Sequence, residues 1–270
     1  MDIFEEIVAA KKSNQPVVLA TVIESLGSAP RGEGARMLIR TDGSIAGTIG
    51  GGAVEQKVID EALQLMKGGA SKLLTYELKD IGMQCGGGMS VFVEPLVPAP
   101  QLIIFGAGHI GTCLAQIGKM LEFSVTVVDN RPEFANAQRL PWADTIIAEE
   151  YAAAIEKAVF NARTYVVILT HKHTYDHEVL EKCLDKTWAY IGMIGSRVKV
   201  AKVFDLLRGK GVTDEIIKKI HSPLGMNIGA NTPAEIVISI LAEIIQVRSS
   251  AGNVAKAGTC CSTGICDGRT

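Results

Sequence analysis

The sequence has almost no surplus of charge of either sign: 27 basic side chains stand against 29 acidic ones over 270 residues, a formal net charge of −2. Counterion release from nucleic acid requires clustered Lys and Arg. No basic stripe is present, so no nucleic-acid partner is expected. Long apolar runs are missing too. Even Ile236 to Ile245 is interrupted by Glu243, and nothing approaches the roughly 18 uninterrupted residues of a spanning helix. No membrane role is expected. The opening Met1 to Glu6 is acidic and amphipathic, not basic followed by an apolar run, so no signal peptide is read and a cytoplasmic location is expected. Cys-x-x-Cys pairs are also absent. Of the six cysteines, Cys85, Cys113 and Cys183 are scattered, and Cys260, Cys261 and Cys266 crowd the end. Without paired ligands or a partner His they do not read as a structural zinc site, and in a reducing compartment they do not read as disulfides.

What is present divides in two. Glu94 to Pro100 holds three prolines in seven residues, each fixing its own φ and biasing the residue before it away from helix. The boundary is placed there, giving an N-terminal α+β domain over 1–97, a Rossmann-like doubly wound parallel-sheet domain over 98–248, and a small-residue, cysteine-containing tail over 249–270 expected to be disordered. The first part shows helical spacing over Ile3 to Lys12 and an apolar β-type run from Val17. Hairpin signals flank Thr41-Asp42-Gly43, and a helix from Ala53 is expected to close at Gly68-Gly69. The second part alternates strands and helices from Leu102 onward, ending in a helix opened by the Thr232-Pro233-x-Glu235 capping box.

Gly106-Ala107-Gly108-His109-Ile110-Gly111 follows an expected strand and opens an expected helix, and Asp129 lies 23 residues after Gly106. Here glycines permit a tight turn and close backbone approach to a pyrophosphate, while Asp129 is placed to accept ribose hydroxyls. A 2′-phosphate would then be repelled, although Arg131 stands near. His109, at the helix start, either contacts a phosphate or caps.

His171-Lys172-His173-Thr174-Tyr175-Asp176-His177 resembles the His-x-His-x-Asp-His motif of dinuclear metallohydrolases. It carries one extra residue before the Asp, which turns the second pair of side chains away from the first, so no metal is assigned. His171 and His173 are instead candidates for ligand contact beyond a strand end, with a plain surface loop as the alternative.

The N-terminal part holds two glycine clusters, Gly50-Gly51-Gly52 and Gly86-Gly87-Gly88, the second preceded by Cys85. Glycine exposes amides and removes Cβ atoms, so a flat or anionic ligand can approach the backbone; Arg31 adds a charged fork. Tight turns are the competing reading of each cluster alone.

These pieces, with Gly27 to Arg31, Gly34 to Met37, Gly47 to Glu55, Met83 to Gly87, Val128 to Pro132, Thr170 to His173, Gly192 to Arg197 and Pro223 to Glu235, resemble the xanthine dehydrogenase accessory factor (XdhC/CoxI) family. The resemblance extends to about Arg248. It implies a factor that binds the molybdenum cofactor (molybdopterin) and helps load it into an apo molybdenum hydroxylase of the xanthine dehydrogenase type, not a free-standing enzyme. It places Cys85, Gly86 and Gly87 in a cofactor-binding motif and Gly50, Gly51, Gly52 and Glu55 in a partner loop. Where some members carry a cysteine, this chain has Ala53. NAD or another nucleotide is a further expected ligand of the second domain, and a homodimer is a further candidate assembly. The alternatives are an NAD-dependent oxidoreductase and, less favoured, a metal-dependent hydrolase.

Overall fold

The computed structural model describes residues 2–66, 70–82 and 86–252, and the chain separates into two compact units between Pro98 and Ala99. In the first unit, α1 (Ile3–Lys12) is capped by Asp2, whose side chain accepts from the Phe4 amide; acids fill its first turn and lysines its last, the charge order that suits a helix dipole. It is followed by β1 (Val17–Leu26), β2 (Arg36–Arg40), β3 (Ile45–Gly47), α2 (Gly52–Leu65), β4 (Lys72–Glu77) and β5 (Gly88–Leu96). The strands form an antiparallel sheet in the order β3-β2-β1-β5-β4. Val54, Val58, Ala62 and Leu65 recur at helical spacing along α2 and are buried with alternate residues of the sheet, Val18, Ala20, Val22, Val91 and Val93 among them. That one-faced burial follows from the period-two alternation of antiparallel strands.

The second unit runs β6 (Gln101–Phe105), α3 (His109–Met120), β7 (Ser124–Val128), β8 (Thr145–Ile147), α4 (Tyr151–Lys157), β9 (Thr164–Ile168) and α5 (His173–Leu184). It continues with β10 (Tyr190–Met193), α6 (Arg197–Gly209), α7 (Asp214–Ile217), β11 (Ile220–His221) and α8 (Pro233–Gly252). Every strand pair is parallel, and the order is β11-β10-β9-β6-β7-β8. This is the doubly wound Rossmann order, with the switch point between β6 and β9. Ile104, Val127 and Val167 are buried on one face with α3 and α8; Phe105, Val166 and Ile168 are buried on the other with α4 and α5. Burial on both faces explains the unbroken apolar runs of these strands.

Several sequence expectations shift. The last helix does not stop at Arg248 but continues to Gly252, so Ser249 to Gly252 are helical; Ser and Ala do not end a helix, and the Ser250 hydroxyl turns back to the Gln246 carbonyl. The remainder of the expected tail, 253–270, lies outside the described residues, as does the expected helix stop at Gly68-Gly69. Two short elements, α7 and β11, carry too few residues for periodicity to reveal them. The capping box forms as read: the Glu235 amide donates to Thr232 Oγ1, and Glu235 accepts from the Thr232 and Asn231 amides. Among the described residues, no helix is long and apolar enough to cross a membrane.

Candidate functional site

In the first unit the structure brings three glycine-bearing segments together: 27–31, 48–52 and 86–88. A Cβ on Gly50 would lie 2.5 Å from Pro30 Cγ, and one on Gly87 would lie 2.1 Å from the Leu26 carbonyl oxygen and 2.8 Å from that of Ser28. These two positions are glycine because backbones or rings occupy the space a side chain needs. Gly51 differs. Among the described residues nothing lies within 4 Å of a Cβ added there, so the backbone presents itself to a visitor. Arg31 is exposed at the same place, and Lys79 reaches over Gly86, its Cε 2.9 Å from where a Cβ would stand. Cys85, with Met83 and Gln84, lies outside the described residues.

Glu55 sits in the first turns of α2 and folds back over the 48–51 loop. Its carboxylate accepts from Thr48 Oγ1 at 2.5 Å and from the Ile49 amide at 3.0 Å. Partial burial works to raise its pKa, but hydrogen bonds from Thr48 and from the Gly51, Ile49 and Gly50 amides outweigh it and hold Glu55 below the usual carboxylate range. The amides read from the sequence as an anion cradle therefore already face an anion of the chain itself. Anionic groups are favoured at a helix N-terminus, and this one is built in.

In the second unit the Gly106 to Gly111 turn joins β6 to α3 at the switch point. A Cβ on Gly106 would lie 2.2 Å from the Leu169 carbonyl oxygen, and one on Gly111 would lie 1.9 Å from the Gly106 carbonyl oxygen, while the Gly108 direction is open. The first and last glycines serve the close contact of turn, helix and neighbouring strand. Gly108 leaves the face where a pyrophosphate meets the backbone. Helix α3 starts from Gly108 without a side-chain cap, and His109 is its exposed first residue.

Asp129 departs from its expected role. It is fully buried; it accepts from the Ala107 amide at 2.8 Å, from the Arg131 amide at 3.1 Å, and from the Arg131 guanidinium at 2.9 Å through two nitrogens. Burial alone would raise its pKa, yet the Arg131 guanidinium and the Ala107 and Arg131 amides together hold it below the usual range. The expected repulsion of a 2′-phosphate loses its basis, because the carboxylate is turned inward and neutralised. What faces outward is Arg131, lying 3.8 Å from the Phe134 ring centroid, where cation–π contact fixes the guanidinium.

The His171 to His177 stretch is not a loop throughout. Helix α5 begins at His173, and the buried Asp176 carboxylate reaches back to accept from the Thr170 amide at 2.8 Å and the Thr170 hydroxyl at 2.7 Å. His171 stays exposed ahead of the helix, its ring 5.3 Å from that of Tyr175. His173 Nδ1 lies 3.3 Å from Asp176 Oδ2, and its Nε2 lies 2.6 Å from Lys199 Nζ on α6. Burial pushes the Asp176 carboxyl up against the opposing pull of Thr170 and His173. Lys199 was invisible to sequence reasoning, since only the parallel pairing of β9 and β10 brings the α6 start beside α5. Tyr151, at the start of α4, was also missed: its hydroxyl is buried and has no hydrogen-bond partner among the described residues, and burial, reinforced by the charge of Asp129, pushes its pKa up.

Residues 10–77 match the XdhC and CoxI family, and residues 102–244 match the XdhC Rossmann domain. The uncharacterized protein YqeB of Escherichia coli is 40% identical over 93% of this chain, which spans only 47% of that relative. A Bacillus subtilis protein named as a probable subunit of xanthine dehydrogenase is 25% identical, covering 89% of this chain and 96% of its own. The E. coli protein PaoD, named a molybdenum cofactor insertion chaperone, is 25% identical over 89% of this chain and 86% of its own. A Bacillus halodurans crystal structure described as a xanthine dehydrogenase superposes with a TM-score of 0.52 at 25% identity, covering 93% of this chain and 96% of that one. With both of its units matched, the chain belongs to the XdhC and CoxI family.

Proposed function

We propose that this chain is a molybdenum-cofactor-binding accessory factor that helps mature a molybdenum hydroxylase of the xanthine dehydrogenase type. The observation that carries the reading is the convergence of 27–31, 48–52 and 86–88, with the exposed Arg31 on the first segment, Gly51 on the second and the exposed Lys79 against Gly86 of the third. Such an arrangement fits a flat, phosphate-bearing group: backbone without Cβ for the ring system, and cations for the phosphate. Glu55 holds the loop instead of touching the anion. The names of the B. subtilis relative and of PaoD support the same cargo and client class. When bound, the molybdenum cofactor supplies a metal–dithiolene centre with an affinity for soft ligands, and Cys85, directly before Gly86 in sequence, is the thiolate offered to it. The partner is the apo hydroxylase, and a second copy of the chain is a further candidate.

Protein purified from cells that make molybdopterin is expected to carry the pterin, read by mass spectrometry of the denatured extract, and to activate an apo client enzyme. Cys85→Ser keeps size but hardens the ligand, so near-normal folding with reduced retention and delivery is expected. Cys183 is the contrast: on the buried face of α5, with its thiol pushed up to about 12 by burial, it is a packing residue. Cofactor retention and client activation equal to wild type in Cys85→Ser remove that thiol from the site, and absence of any pterin from wild type defeats the proposal.

In the second unit, the Gly106–Gly111 turn supports a nucleotide ligand, NAD or another, with His109 and Arg131 nearest its phosphates and ribose. An NAD-dependent oxidoreductase draws on that turn alone.

A further inference from the structure

The ends of β6, β9 and β10 stand side by side: Phe105 pairs with Ile168, and Ile168 with Met193. Adjacent strands lie about 5 Å apart, so the loops leaving β9 and β10 begin roughly one and two such spacings from the glycine turn. Ligands of a doubly wound sheet lie across these ends, with the ribose at the second strand and the phosphates over the glycine turn. Here the ribose side is β7, marked by Asp129 and Arg131. A phosphate chain that continues past the turn therefore runs toward β9 and β10.

What meets it there is basic. Thr170 to Tyr175 and Ile194 to Phe204 contain no acidic residue but hold His171, Lys172, His173, Arg197, Lys199 and Lys202. Two of these are arranged. Lys199 Nζ approaches His173 Nε2 at 2.6 Å, and an ammonium has only protons to give, so Nε2 is the acceptor. The ring proton then sits on Nδ1 and is donated to Asp176. Asp176 is itself anchored by the Thr170 amide and hydroxyl, so the imidazole orientation is set from inside the protein. Lys199 forms no ion pair among the described residues. Its charge faces solvent with a neutral acceptor in the place of a carboxylate.

We infer that Lys199, held in place by His173, forms an anion subsite that takes the terminal phosphate of a nucleoside triphosphate whose preceding phosphates lie on the Gly106–Gly111 turn. A nicotinamide ring, cationic when oxidised, would meet like charge at the same place. Asp176 is a positioning residue that fixes the His173 tautomer. The inference rests on the nucleotide part of the proposed function.

Isothermal titration of the full chain with ADP, ATP and NAD+, without divalent cations, tests it. ATP is expected to bind at least tenfold more tightly than ADP and more tightly than NAD+. Lys199→Ala should bring ATP to the ADP level while leaving ADP affinity unchanged. Lys199 is an exposed helix residue, so the fold tolerates the change. Lys218→Ala, which removes the same charge elsewhere on the surface, should keep the ATP preference. Equal affinity for ADP and ATP overturns the subsite and leaves the nucleotide site standing, as does an ATP preference that survives Lys199→Ala. Tighter binding of NAD+ than of ATP overturns it as well. Binding of none of the three overturns both the subsite and the nucleotide reading.

Discussion

Each unit holds a glycine-rich loop in place with a carboxylate, and the two do it differently. Glu55 lies on the helix that follows its loop and accepts from the Ile49 amide and the Thr48 hydroxyl, whose oxygen in turn accepts from the Gly50 amide, all neutral partners. Asp129 lies at the end of the neighbouring strand and takes one amide of the turn, that of Ala107, while a guanidinium satisfies the rest of it. The first arrangement uses the loop's donors to shape the loop. The second fixes the root of the turn and leaves the start of α3 without a side-chain cap. Glycine-rich sequence alone therefore does not specify an anion site; what decides is whether a carboxylate of the chain already occupies the donors.

The largest effect is expected at Asp129. Asp129→Ala leaves the buried Ala107 amide and the Arg131 guanidinium without their acceptor, and truncating one side of a buried pair costs on the order of 3 kcal/mol. Chemical denaturation should show a loss of that order. Stability within about 0.5 kcal/mol of wild type would show that solvent satisfies both donors and that the carboxylate does not hold the turn.

Glu55 is expected to matter less for stability, because its loop is nearer to solvent. Glu55→Gln keeps one acceptor oxygen but loses the charge, a change worth about 1–2 kcal/mol for charge-assisted hydrogen bonds. The pH dependence sharpens this. A carboxylate whose pKa is held below its unfolded value contributes stability that is fully present above the unfolded value, near 4.5, and is lost as pH falls through the folded one. Wild type should lose more stability than Glu55→Gln between neutral pH and pH 3, and parallel stability curves would remove Glu55 from this role. Asp176 has the opposite sign. Its raised pKa means that acidification through the range between its unfolded and folded values relieves a cost, so Asp176→Asn should flatten a gain there, not a loss.

Much of the fold was legible because each unit obeys a single periodicity. The one-sided alternation of Val18, Ala20 and Val22 and the unbroken run Leu102 to Phe105 announce a half-covered antiparallel sheet and a doubly covered parallel one. The glycine turn was legible because strand, spacing and helix coincide. The direction of side chains was not. Asp129 sits where the fingerprint places it, but its inward turn depends on Arg131, whose orientation is fixed by Phe134. Lys199 joins His173 across elements that are 26 residues apart, a contact that no local spacing encodes. The same holds for Glu243 on α8, which accepts from the Tyr190 hydroxyl at 2.6 Å and the Gly225 amide at 3.1 Å and pairs with His221. That network ties the end of the sheet to the last helix and had no sequence signature.

The smallest effect is expected at Gly108, where the comparison with the first unit is most direct. Gly108 has an ordinary negative φ, and among the described residues no atom lies within 4 Å of a Cβ added there, so Gly108→Ala should fold and unfold as wild type does. The added methyl group projects on the side where a pyrophosphate would approach the backbone. Nucleotide affinity should then fall about tenfold, or 1.4 kcal/mol, with denaturation unchanged. Gly111→Ala is the contrast, since its Cβ would stand 1.9 Å from the Gly106 carbonyl oxygen and must force helix and turn apart. If Gly108→Ala binds as tightly as wild type while Gly111→Ala fails to fold, both glycines serve packing alone, and the turn of the second unit becomes as self-contained as the Glu55 loop of the first.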